Sequence, residues 1–384
     1  MDLLFCPRQT KAGETRVALT PESAQKFREA GFSCVLQTGA GLPSGFADED
    51  YRKAGCEVVE DRSRALASAK LIVGVHPLDE EDYSSLQPGT FMVGFLDPYR
   101  NPEKVIGLGR TGATTASLEL LPRTTFAQKM DALSSQASLA GYAAVLLAAM
   151  RLDKVLPMMM TPAGTLQPCR FLIVGVGVAG LQAIATAKRL GARVTAFDTR
   201  PTVEEQVKSL GARFLKIDIG ETGQTEQGYA KELTPEQKER QQIGMTKACT
   251  ESDAIITTAQ VFGRPAPKIL TAQMLAGMRP GSVVIDMAVS TGGNVEGSEA
   301  DEEVVQNGVR LIGASNLPTT LPQHASQALA NNIFNYVSHV WKPGTGLDLE
   351  NPDGIAKATV VTAGCQVVHD HVAETYKQRF SKPV

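Results

Sequence analysis

A chain of 384 residues, 43% of them hydrophobic, is long enough for two or three separate cores at about 150 residues per domain. Its 38 basic and 41 acidic residues are interspersed and leave a net charge of -3, which argues against the basic stripe that nucleic acid or an anionic membrane calls for. The six cysteines (Cys6, Cys34, Cys56, Cys169, Cys249, Cys365) include no C-x-x-C pair, so reduced thiols in a cytosolic setting are expected, with neither a disulfide framework nor a metal site.

The N-terminus "MDLLFCPRQTKAGETR" lacks a basic segment followed by an apolar one and reads as a first strand rather than a secretion signal. Up to about residue 120, short apolar runs ("LLFCP", "SCVLQ", "LIVGV", "FMVGF", "TTASLEL") alternate with helix-like stretches, the pattern of a parallel α/β sheet. "LTPESAQKFREAGF" predicts a helix with Thr20 as N-cap, Pro21 at its first position and Gly31 as its stop.

Residues 132–152 predict one long helix, whose apolar run "ASLAGYAAVLLAAM" falls short of the roughly 20 residues needed to cross a bilayer. "LPMMMTPAGTLQP" reads as a boundary, with its methionines as packing filler. A second α/β unit follows, with strands in "CRFLIVGV", "RVTAFD", "DAIITTA", "SVVIDMAV" and "VRLIGAS". "LPQHASQALANNIFNYVSHVWK" is helical in pattern and would return the chain to the first domain. His369 and His371, alternate residues of a helix-like stretch, read as solvated surface rather than metal ligands. The expectation is an α/β protein of two Rossmann-like parallel-sheet domains joined by two long helices, with a ligand-collecting cleft between them. Residues 1–131 with 325–384 would form the first domain, 132–152 a linker helix, and 153–324 the second domain.

"FLIVGVGVAGLQAIATAKRLGARVTAFD" places Gly175, Gly177 and Gly180 in G-x-G-x-x-G spacing between a strand and a helix, with Asp198 closing the next strand. That is a complete dinucleotide-binding βαβ unit. Gly175 permits the tight turn, Gly177 admits the pyrophosphate, Gly180 allows close helix packing, and the N–H groups of the helix start face the phosphates. Asp198 would accept hydrogen bonds from the adenosine ribose and repel a 2′-phosphate, favouring NAD(H), although Arg200 could accommodate that phosphate.

The polar stretch at about residues 219–235 predicts a mobile loop whose Tyr229 could cover the nicotinamide as a lid, or else a solvated insertion. Just before the long helix, "RTTFAQKMDALSSQ" gathers Arg123, Gln128, Asp131 and Ser134 with no proton carrier among them. Asp131 could alternatively serve only to cap the helix.

These residues resemble the alanine dehydrogenase and pyridine-nucleotide transhydrogenase family. The resemblance is carried by "ETRVALTPESAQK", "GVGVAGLQAIATAKRLGARVTAFDTRP", "GYAKE", "TTAQVFGRPAPK" and "IDMAVSTGGN", and it covers essentially the whole chain. Arg16 matches the pyruvate pocket of the alanine dehydrogenases. His76, Asp97 and Ser290 stand where those enzymes carry lysine, histidine and aspartate, a loss typical of the transhydrogenase branch. Gln9 and Phe126 depart from the family pattern at the edges of the site. In that branch the motif similar to "RTTFAQKMD" lies beside the nicotinamide, so the resemblance implies that Asp131 and Ser134 fix the carboxamide while Gln128 and Arg123 orient the ring. It also implies cofactor contacts at Val178, Asp198, Thr199, Arg200, Gly228, Tyr229, Gln241 and Gln260.

The function this implies is hydride transfer between NAD(H) on this chain and NADP(H) on a partner domain. Such a step needs distance, orientation and dryness but no protein proton donor. The resemblance further implies a homodimer at the cytoplasmic face of a bacterial membrane, docked to membrane-spanning subunits that couple hydride transfer to proton translocation. Two alternatives are a self-contained amino-acid dehydrogenase of the alanine type and a non-catalytic NAD(H) sensor.

Overall fold

The computed structural model describes residues 1–220 and 233–380, and in it the first helix, Pro21–Glu29, begins with a reciprocal cap. The Thr20 hydroxyl accepts from the Ser23 N–H while the Ser23 hydroxyl accepts from the Thr20 N–H, which satisfies donors the helix leaves open. Gly31 ends it with φ +96, a conformation that costs glycine little.

The chain divides into two units, Met1–Gln136 with Thr319–Val384, and Ala137–Pro318. Among the described residues, the first unit holds an eight-stranded sheet in the order Gln366–Val367, Val360–Ala363, Thr114–Ser117, Phe91–Gly94, Leu71–Val73, Asp2–Cys6, Phe32–Gln37, Glu57–Val59. The six strands from Thr114–Ser117 to Glu57–Val59 are parallel; the two from the C-terminal part of the chain are antiparallel. Both faces are covered, so successive residues feed different cores. Leu4, Cys6, Leu71, Val73, Phe91 and Val93 pack on one side, and Phe5, Ile72 and Met92 on the other.

The second unit has a seven-stranded sheet in the order Arg213–Phe214, Arg193–Phe197, Arg170–Val174, Ala254–Thr257, Val283–Asp286, Val309–Gly313, Glu303–Gln306, antiparallel only at its last strand. In both sheets the parallel strands follow the doubly wound order 3-2-1-4-5-6. The order reverses between Asp2–Cys6 and Leu71–Val73 in the first, and between Arg170–Val174 and Ala254–Thr257 in the second. Loops leaving the carboxyl ends of strands at such a reversal are where α/β sheets bind ligands.

The long helix spans Ala132–Arg151, and at 20 residues with a mean hydropathy of 1.4 it is long and apolar enough to cross a membrane by length and composition. It is thus longer than its apolar run implied. In the second unit its Gly141 lies against the Ala179 carbonyl, where a Cβ would come within 2.1 Å, and Ala143, Ala144, Val145 and Ala148 are buried beside it. The segment read as a boundary contains a small exposed hairpin, Met159–Thr161 paired with Gly164–Leu166.

Candidate functional site

The turn after Arg170–Val174 separates the three fingerprint glycines by role. Gly175 has φ +95, and a Cβ on it would lie 2.7 Å from the Thr258 hydroxyl. A Cβ on Gly180 would come within 2.0 Å of the Gly175 carbonyl oxygen, so the helix Val178–Arg189 can approach the turn only with glycine there. At Gly177 a Cβ would meet nothing within 4 Å. Gly177 is also the N-cap, and no side chain caps the helix start, so its first-turn N–H groups border open space. These features fit a pyrophosphate: space, unclaimed backbone donors and a helix N-terminus.

Asp198 closes Arg193–Phe197 and ties the second strand to the turn. Its carboxylate accepts from the Val176 N–H at 2.8 Å, from the Arg200 N–H at 2.8 Å and from the Arg200 guanidinium at 2.9 Å on each oxygen. Arg200 also donates to the Val176 carbonyl at 3.1 Å. The arginine is therefore engaged with the acid itself. Thr199 is half-buried between them, and Val178 is exposed at the helix start.

Beyond the reversal, two loops are fixed by residues that the sequence pattern did not single out. The Thr258 hydroxyl donates to the Gly175 carbonyl at 3.0 Å. Asn294, fully buried, accepts from the Ala259 N–H and donates to the Ala259 and Pro267 carbonyls. Asp286, also fully buried, accepts from the N–H groups of Ala288, Asn294 and Val295 and from the hydroxyls of Thr257 and Ser298. The signal for them was a polar residue closing each apolar strand run. Gln260 is exposed and donates to the Met287 carbonyl at 2.8 Å, and Gln241 is buried in the helix Pro235–Thr250. Gly228 and Tyr229 lie outside the described residues.

In the first unit, Arg123 and Gln128 are exposed around the 3-10 turn Phe126–Met130, which Ala127 and Met130 anchor in the core. Asp131 accepts from the Ser134 N–H at 2.9 Å and from the Ser134 hydroxyl at 2.5 Å. It caps the long helix, as its side-chain type allowed, and the same contacts bring Asp131 and Ser134 together.

The reversal of the first sheet carries a second polar cluster. The Arg16 guanidinium donates twice to Glu14, at 2.8 and 2.7 Å, and once to Gln136 at 2.9 Å, with both Arg16 and the Glu14 side chain buried. His76 Nε2 lies 2.7 Å from the same carboxylate, and the His76 N–H donates to Gln9. Burial alone would raise the Glu14 carboxyl. Hydrogen bonds from Arg16 and His76, with the Arg16 charge, more than offset it and hold the group well below the usual carboxylate range. Asp97, at φ +47, pairs with Arg100. Glu119, partly buried, accepts from the Asp97 N–H at 2.9 Å, the Leu96 N–H at 3.2 Å and the Ser117 hydroxyl at 2.5 Å. Among the described residues no three His, Cys, Asp or Glu side chains are grouped to hold a metal.

Residues 5–140 match the model for the alanine dehydrogenase/PNT N-terminal domain, and residues 144–370 the model for its C-terminal domain. The chain belongs to the alanine dehydrogenase/PNT family. Within it, the chain is 39% identical to a protein of Rickettsia prowazekii named for NAD(P) transhydrogenase subunit alpha, over 95% of each chain. Its structure superposes on that of a transhydrogenase from Sinorhizobium meliloti with a TM-score of 0.84 at 38% identity, covering 96% of this chain and 100% of the other. An L-alanine dehydrogenase superposes with a TM-score of 0.83 at 27% identity, covering 98% and 99%. The mixed α/β architecture with two largely parallel sheets is thus that of both branches of the family. Arg16, His76, Asp97 and Ser290 are the positions at which residue type separates them.

Proposed function

We propose that this chain is the NAD(H)-binding component of a proton-translocating NAD(P) transhydrogenase. In this reading it exchanges hydride between NAD(H) held here and NADP(H) held on a partner domain. The observation that carries it is the 39% identity, over nearly the full length of both chains, to a protein named for transhydrogenase subunit alpha. The open space at Gly177, beside a helix start that no side chain caps, supports the dinucleotide half of the reading.

The chain's own residues would bind and orient. Gly175, Gly177 and Val178 present backbone to the pyrophosphate. Asp198, with Thr199 and Arg200, receives the adenosine ribose, and Gln241, Gln260 and Gly228 complete the contacts. Arg123, Gln128, Asp131 and Ser134 orient the nicotinamide, and Tyr229 covers it. The coenzyme supplies the hydride at its ring, so no residue need carry a proton and the group 123–134 holds none that does. A homodimer at the cytoplasmic face of a bacterial membrane, docked to membrane-spanning subunits that couple transfer to proton movement, completes the proposal.

The test mixes this chain with a purified NADP(H)-binding transhydrogenase domain and follows reduction of an NAD analogue by NADPH. Transfer well above the rate of the separate components is expected. No such rate overturns the proposal. The likeness to an L-alanine dehydrogenase favours one second reading, a keto-acid aminating enzyme. His76, Asp97 and Ser290 oppose it, and pyruvate- and ammonia-dependent oxidation of NADH would establish it.

A further inference from the structure

Gln128 rides on a turn that its own hydrogen bonds hold loosely: the Gln128 N–H reaches the Thr125 carbonyl at 3.4 Å, and the Asp131 N–H reaches the Gln128 carbonyl at 3.2 Å. Short 3-10 turns have poor internal geometry. A side chain that orients a reacting ring needs more support than this. It comes from the helix Pro322–Val340, two of whose side chains converge on one backbone atom. Asn332 donates to the Lys129 carbonyl at 3.0 Å, and Asn335, one turn later, donates to the same oxygen at 3.1 Å.

One donor would satisfy that carbonyl, and asparagine is a weak helix former in a helix interior. Two are used. Asn332 reaches further: buried, it accepts from the Ser135 hydroxyl at 2.7 Å while donating to Lys129. It therefore bridges the residue two before Asp131 and the residue four after it, holding Asp131 and Ser134 between its two contacts. From the same helix, His339 packs its ring against Phe126 at 5.0 Å between centroids and is itself held by Asp353 at 2.5 Å.

We propose that Asn332 and Asn335 are positioning residues for hydride transfer, fixing the Lys129 carbonyl and hence the backbone that presents Gln128 and Asp131. The inference rests on the reading of the 123–134 group as nicotinamide-orienting. Neither asparagine is required to touch the coenzyme, so the expected signature is a slower step at unchanged affinity.

The test compares Asn335→Ala, Asn335→Gln and Asn332→Ala with Gln128→Asn, measuring single-turnover transfer from NADPH on the partner domain to an NAD analogue, and NADH affinity by calorimetry. Asn335→Ala is expected to slow transfer about tenfold while NADH affinity moves less than about twofold, because small misplacements of orienting groups act on the rate. Asn335→Gln, which restores a donor on a half-buried side chain, is expected to recover most of the rate. Asn332→Ala should show the same split, and if it fails to fold, Asn335→Ala decides. Wild-type rates in the asparagine variants, or equal losses of rate and affinity, overturn the proposal when Gln128→Asn is slow. A wild-type rate in Gln128→Asn overturns the underlying reading instead.

Discussion

The Asp198 carboxylate accepts the Val176 N–H at 2.8 Å, so the acid that closes one strand also fixes the backbone of the glycine turn after its neighbour. It is at the same time salt-bridged to Arg200. Asp198→Asn keeps the shape but loses the charge and one acceptor. Charge-assisted hydrogen bonds contribute about 1.5–3 kcal/mol, so NADH affinity is expected to fall by roughly tenfold to a hundredfold. The preference for NADH over NADPH should narrow too, because the repulsion of a 2′-phosphate is gone. Calorimetric titration with both coenzymes checks this, and unchanged NADH affinity would remove Asp198 from the ribose site.

Alanine at the three glycines should separate folding from binding. Gly180→Ala places a Cβ 2.0 Å from a backbone carbonyl oxygen, and Gly175→Ala adds strain at φ +95 to a 2.7 Å contact with Thr258. Both are expected to destabilise the second unit, by several kcal/mol at Gly180 where the clash is with backbone. Gly177→Ala meets nothing, at a φ of -87 that alanine adopts freely, so it should melt like wild type. Its NADH affinity should nonetheless fall at least about tenfold if the pyrophosphate approaches that Cα. Thermal melts and NADH titrations on the three variants decide between packing and binding.

Much of this arrangement could be read in the sequence because its signals are local. Thr20, Pro21 and Gly31 mark a helix by capping chemistry within eleven residues, and the glycine turn is written in six. The antiparallel strands Val360–Ala363 and Glu303–Gln306 were not anticipated, since pairing of an edge strand depends on partners distant in sequence, such as Thr114–Ser117 for the former. Buried polar clamps were missed for the same reason. Asn332 lies 203 residues from the carbonyl it holds, and Glu119 looks like any surface acid until its loop folds over it. Asp131 shows the opposite limit: one local pattern, an acid before a helix, serves capping and ligand contact equally well.

Glu119 sets a pH dependence. Burial pushes its carboxyl up to about 7, against hydrogen bonds from Ser117 and the Asp97 backbone that favour the charged form. With the folded value above the unfolded one, the native state binds more protons between about pH 4.5 and pH 7. The contribution of Glu119 is therefore full below pH 4.5 and is lost as pH rises to about 7, on the order of 3 kcal/mol. Glu119→Gln removes the titration, so its denaturant stability relative to wild type should improve from pH 5 to pH 8. Glu14 acts in the other direction, its contribution being lost only as pH falls below the ordinary carboxylate range, outside that window. A constant difference between the two proteins across pH 5–8 would show that Glu119 stays ionised.

Asp131 can be split into its two roles, because serine caps a helix almost as well as aspartate but carries no charge. Asp131→Ala removes the cap that the Ser134 N–H now uses, at a cost of about 1 kcal/mol, and should lower the melting temperature by a few degrees. Asp131→Ser should melt within about a degree of wild type. If the carboxylate also fixes the carboxamide, hydride transfer in Asp131→Ser should be slowed at least about tenfold, and Asp131→Ala should be no slower once folded. Wild-type transfer in the serine variant, with loss only in alanine in proportion to its instability, would reduce Asp131 to a helix cap and leave Gln128 and Arg123 as the orienting groups.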